Sequence, residues 1–197
     1  ANPRGSGGRG LDFLTANHRD WGGGDFDDIL RGIDRVVDIG LVDDRRVGIG
    51  GWSYGGYLTA WAVTHSDRFR CGVIGAPVIN LASFCGTTDI PYGFLPRYYV
   101  GADFIQQPDF YRDRSPIYAI DSLKAPTLLL HGEADVRVPL GQSVEWYTAA
   151  RERGRQVELV TYPREDHSIK EPEHQRDVLN RVVDWFSRHV LPVGEET

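Results

Sequence analysis

The chain has 197 residues, 41% of them hydrophobic and 25% charged, which is enough to bury a sizeable core. Its formal net charge of −6 leaves no basic excess to draw in a nucleic acid or an anionic membrane. Cys71 and Cys85 are its only cysteines and no C-x-x-C spacing occurs, which speaks against a disulfide framework and a structural zinc site. The opening ANPRGSGGRG lacks the apolar stretch of a signal peptide, and no run of about 18 apolar residues offers a membrane span, so the expected setting is soluble and cytoplasmic.

Along the chain, the apolar pattern alternates between two periods. Residues 25–39 place Phe26, Ile29, Leu30, Ile33, Val36 and Val37 at helical spacing behind an acidic first turn, which suits a helix N-terminus. RVGIG at 46–50 reads as a short buried strand, followed by a glycine-bounded turn at Ser53 and a helix over 55–65. CGVIGAP at 71–77 is a second buried strand. The stretch 79–120, rich in Pro, Gly, Asp and Tyr, reads as irregular, and such a stretch inside a compact unit is usually a lid or pocket wall. A third strand at 125–131, a helix at 139–153, a fourth strand at 156–162 and an amphipathic helix at 173–190 complete the series. Short apolar strands alternating with helices predict an α/β fold: a mostly parallel sheet with helices on both faces, in a single domain spanning 1–197.

Within GGWSYGGY at 50–57, Gly51-Trp52-Ser53-Tyr54-Gly55 has the G-x-S-x-G spacing that sets a serine on a sharp strand-to-helix turn in α/β-hydrolases. In a parallel sheet, functional residues gather beyond the C-terminal ends of the strands. Ser53 follows the first strand, Asp135 the third and His167 the fourth, so all three emerge at one end, in the chain order of α/β-hydrolases. A serine hydroxyl is a weak nucleophile. It needs an imidazole to take its proton and return it to the leaving group, and a carboxylate to fix that imidazole's tautomer. His167 and Asp135 are the candidates, with Glu133 a rival carboxylate closer to the strand and His131 a rival histidine that reads as packed at a strand end. The backbone N–H of Tyr54 would supply one oxyanion-hole donor. Tyr54, Val78, Phe84, Tyr92, Phe94, Tyr98 and Tyr99 are candidate pocket residues, and no metal or cofactor is expected.

NPRGSGGRG, WGGGDFDDIL, VDDRRVGIGGWSYGGYLTAW, GAPVINLASFCGTTDIP, SPIYAI, HGEADVRVP and TYPREDHSI together resemble, block by block, the prolyl oligopeptidase family of serine peptidases, and acylaminoacyl peptidases in particular. The resemblance implies Ser53 as nucleophile, Asp135 as orienting acid and His167 as base. Asp166 departs from it, since many relatives have Gly there. Members of the family also carry further strands, and a loop or Tyr giving the second oxyanion donor, ahead of the NPRGS block. The resemblance therefore implies the C-terminal catalytic portion of a larger enzyme, whose first strand would show an open edge. It implies cleavage of short peptides through an acyl-enzyme, releasing N-acylated amino acids. A carboxylesterase on the same scaffold and a non-catalytic assembly module are the alternatives. Expected partners are a short peptide or acyl-ester substrate and an upstream segment or second chain, possibly a second copy of this one.

Overall fold

A computed structural model describes residues 1–91, 94, 101 and 103–191 of the chain. Its centre is a four-stranded parallel sheet in the order β1 (Ile49–Trp52), β2 (Gly72–Gly75), β3 (Thr127–Gly132) and β4 (Val157–Tyr162). Parallel neighbours require crossovers, and helices supply them: α3 (Tyr54–His65) between β1 and β2, and α6 (Gly141–Glu152) between β3 and β4. Ahead of the sheet lie α1 (Leu11–Thr15) and α2 (Gly24–Asp38), and after it α7 (Pro172–Val190).

Side-chain alternation along the strands divides the core in two. Ile74 and Leu129 point to the face covered by α3 and α6, where Tyr57, Trp61 and Trp146 are buried. Val73, Leu128 and Leu130 point to the opposite face, beneath Trp185 and Phe186 of α7. Both faces of β2 and β3 are therefore covered, which is why those strands read as continuous apolar runs. The α/β fold with helices on both faces is as the sequence implies.

Two readings need correction. The first strand lies at Ile49–Trp52 rather than 46–50, because the register with β2 runs Ile49 to Gly72 through Trp52 to Gly75. The strand thus continues through the glycines up to the residue before Ser53. The stretch 79–120 is not simply irregular: it holds α4 (Leu81–Thr87), α5 (Pro108–Asp113) and a 3₁₀ segment, Pro116–Ser122. Proline at the start of the last two, and the Asn80 side chain accepting from the Ser83 amide at the first, are the helix signals that its glycine and proline content masked. The short α1 has no buried residue, so no apolar stripe announced it.

Candidate active site

The geometry begins at the strand-to-helix turn. Ser53 has φ 61° and ψ −117°, a left-handed backbone that a non-glycine residue adopts only under constraint. The constraint is visible. Its N–H donates to the Gly75 carbonyl of β2 at 2.9 Å, while its own carbonyl accepts from Tyr57 N–H of α3 at 3.0 Å. Gly51 is required by close approach, since a Cβ there would lie 2.5 Å from the backbone of Gly55. Gly56 is required likewise, because a Cβ would stand 2.4 Å from the Gly75 carbonyl oxygen. The turn can be this tight only because α3 and β2 press directly onto bare backbone.

Beyond the strand ends, three side chains form a row. His167 Nε2 lies 2.9 Å from Ser53 Oγ, and His167 Nδ1 lies 2.8 Å from Asp135 Oδ2. Asp135 Oδ1 accepts from the Val138 N–H at 2.9 Å. Burial raises the Asp135 pKa, but hydrogen bonding from the His131 side, from His167 and from the Val138 amide outweighs it and holds the carboxyl well below the usual carboxylate range. An ionised Asp135 can only accept, so the Nδ1 of His167 carries the proton and Nε2 is left to accept from Ser53 Oγ–H. That is the polarity needed to abstract the serine proton.

Neither rival takes part in the row. Glu133 is exposed and accepts from Thr161 Oγ1 at 2.7 Å. His131 is fully buried, with Nδ1 2.7 Å from Ser143 Oγ and Nε2 2.8 Å from the Val138 carbonyl oxygen. Because a carbonyl only accepts, the His131 proton sits on Nε2, which lies 3.4 Å from Asp135 Oδ2 and backs the carboxylate without reaching Ser53.

Tyr54 opens α3, so its amide is one of the first-turn N–H groups that a helix leaves without an internal acceptor. With Ser53 it lines a cavity of about 860 Å³. Tyr54, Val78, Phe84 and Phe94 line this cavity with Trp21 and Ile90, while Tyr92, Tyr98 and Tyr99 lie outside the described residues. Val78 and Phe84 are also nearly fully buried members of the core, so they form a fixed wall. The Tyr54 hydroxyl donates to the buried Asp25 and accepts from Asn17 Nδ2 at 3.2 Å, with Trp21 edge-on to its ring. Burial pushes the Asp25 pKa up, and the bond from Tyr54 works against that push.

Sequence reasoning missed several residues that hold this site. Asp25 and Asn17 fix Tyr54, and the Trp52 indole N–H donates to the His167 carbonyl at 2.8 Å. Asp25 read as part of an acidic first turn, and Trp52 as the variable position of the motif; only proximity in space reveals their second roles. Glu165, Glu171 and His174 bring possible metal-ligating atoms within 4.8 Å of one another, but Glu171 is paired with Arg164 and His174 with Glu165.

The profile of the prolyl oligopeptidase family matches residues 1–192. This chain belongs to the prolyl oligopeptidase family. Within the family it is similar to the peptidase YuxL of Bacillus subtilis, 34% identical over 96% of this chain and 29% of that one. It is also similar to the acylamino-acid-releasing enzyme of Arabidopsis thaliana, 31% identical over 95% of this chain and 26% of the relative. Among solved structures, the Pyrococcus horikoshii acylaminoacyl peptidase superposes with a TM-score of 0.92 at 32% identity, over 100% of this chain and 32% of that one. The chain thus spans between a quarter and a third of the length of these family members. Among the described residues, no helix is long and apolar enough to cross a membrane.

Proposed function

We propose that this chain carries the catalytic portion of a serine peptidase that cleaves a short peptide's amide bond and releases an N-acylated amino acid. The observation that carries the reading is the row Ser53, His167, Asp135 at a strained turn beside an apolar cavity. Likeness to acylamino-acid-releasing enzymes supports the substrate class.

Ser53 Oγ attacks the scissile carbonyl as its proton passes to His167 Nε2, and the Tyr54 N–H faces the developing oxyanion. The imidazolium, stabilised by Asp135, then gives that proton to the leaving amine, and the C–N bond breaks to leave an acyl ester on Ser53. Water adds by the reverse proton path and frees the acid. Segment 79–120 acts as pocket wall through Phe84, Ile90 and Phe94.

An oxyanion hole works best with two donors, and the second comes from a segment that pairs along the outer edge of β1. Among the described residues, β1 pairs with β2 alone. The Ile49 N–H donates to the Cys71 carbonyl just ahead of β2 and the Ser53 N–H to the Gly75 carbonyl at its end, so by alternation the Gly50 and Trp52 amides face outward. In the intact protein those two amides should be protected from hydrogen exchange; rapid exchange at both would dismiss the added strand.

Reaction with a fluorophosphonate, mapped to Ser53, tests the chemistry, and an inert Ser53 would leave a non-catalytic module. Turnover of an acetylated aminoacyl anilide against that of a short acyl ester tests the bond. Ester turnover without anilide turnover would make the protein a carboxylesterase.

A further inference from the structure

The geometry points to Glu165 as a positioning residue that sets His167 by tying its loop to the start of α7, an inference that rests on the hydrolase reading above. Glu165 lies two residues before His167 and is 2% exposed, an unusual place for a carboxylate with no direct contact to Ser53, His167 or Asp135. All its capacity is turned to the loop. Oε2 accepts the Lys170 N–H at 2.7 Å, and Oε1 accepts the Glu171 N–H at 2.8 Å and His174 Nδ1 at 2.8 Å. Its main chain is held too: the Ala134 N–H, next to Asp135, donates to the Glu165 carbonyl at 2.8 Å. One residue therefore joins the Asp135 loop, the His167 loop and the first turn of α7.

The surrounding contacts make this tie necessary. Arg164 has φ 68°, a left-handed conformation unfavourable for a side-chain-bearing residue, so the loop needs support to keep it. Its guanidinium is forked on Glu171 at 2.9 and 2.8 Å, closing the loop from outside while Glu165 closes it from within. Gly132 lets the loop sit on β3, since a Cβ there would fall 2.3 Å from the Asp166 carbonyl oxygen. His167 itself is held through its carbonyl by Trp52 and through its ring by Asp135. A carboxylate ahead of a helix is also favoured by the α7 dipole.

Glu165→Gln probes the tie with almost no change of shape. An amide offers one acceptor oxygen, and its NH₂ would face a backbone N–H, so at least one of the Lys170 and Glu171 amides loses its partner. Because a misplacement of about 1 Å remote from the chemistry can cost about 10²-fold, we expect kcat to fall about 10²-fold. KM should change far less than kcat, since the cavity takes no lining residue from the His167 loop or α7 and only Arg137 and Val138 from the Asp135 loop. The downfield imidazole proton of the His167 to Asp135 bond should weaken in the NMR spectrum. His174→Asn, which keeps a donor near the Nδ1 position, should retain the parent kcat and resonance, whereas His174→Leu should lose part of both.

The measurements are made in the intact protein. A folded Glu165→Gln variant with parent kcat and parent resonance would overturn the proposal, as would equal effects of the two His174 substitutions. Should Glu165→Gln fail to fold, the His174 pair decides by the same comparison. If Ser53 of the parent does not react with a fluorophosphonate, the hydrolase reading falls, while the His167 resonance still judges the link from Glu165.

Discussion

Asp135 is a buried carboxylate that must stay ionised for the site to work. Asp135→Asn keeps the shape but lets the side chain offer NH₂ to His167, favouring the wrong tautomer, and turnover should drop by about 10⁴-fold. An unchanged kcat would remove Asp135 from the mechanism. The same substitution bears on stability. The folded-state pKa of Asp135 lies below that of the unfolded chain, so its contribution is fully present above the unfolded value of about 3.9 and is lost as pH falls toward the folded one. The gap in urea midpoint between parent and Asp135→Asn should therefore narrow steadily as pH falls below about 4; a constant gap from about pH 5 to 3 would contradict the assigned hydrogen bonds. Trp52→Phe removes the donor to the His167 carbonyl together with part of a ring packed over Gly75 and the α7-side core, and should cost about 1–3 kcal/mol of stability, with kcat falling more than KM rises.

At the scale of elements, the strand-turn-helix unit from β1 to α3 stores strain for use. Glycines in the two outer positions of the motif look alike in sequence but differ in what surrounds them. Gly51→Ala would drive a Cβ into the Gly55 backbone, and we expect a loss of about 1–3 kcal/mol with misplacement of Ser53. Gly55→Ala meets nothing within 4 Å and sits at an ordinary helical φ, so it should stabilise by about 0.5–1 kcal/mol. Thermal or urea melts of the two variants check this; equal destabilisation would mean the turn is not packed as described. The same comparison explains what was legible here. The spacing of the motif located the turn, while the need for Gly51 and Gly56 comes from contacts with α3 and β2 that no local pattern contains.

Taken over the whole molecule, the titrating groups give stability a two-stage dependence on acid. Burial lowers the pKa of His65 and His189, so the fold binds fewer protons than the unfolded chain and stability begins to fall below about pH 6.5. Asp28, bonded to Arg4, and Asp43, bonded to Arg45, are both held at about 2, and with Asp135 they produce a second loss as pH falls below about 4. Asp25 works in the opposite sense: its raised pKa means its ionised form costs stability near neutrality, and acid relieves part of that. Denaturation midpoints from pH 8 to 3 should show both declines, and a flat profile would refute this reading. What the sequence by itself determined was periodicity and order: alternating strands and helices, a glycine-bounded serine, and Ser53, Asp135 and His167 each just past a strand. These are legible because parallel pairing forces every strand to end on the same side. Position past the strand ends and the family resemblance already favoured Asp135 over Glu133 and His167 over His131, but only the tertiary structure shows those side chains meeting the serine, because contact depends on where each side chain points. The tertiary structure also decided the supports, Trp52, Asp25 and Glu165, whose partners lie on other elements: hydrogen bonds that fix a site depend on distance in space, and one chain read in order carries no measure of that.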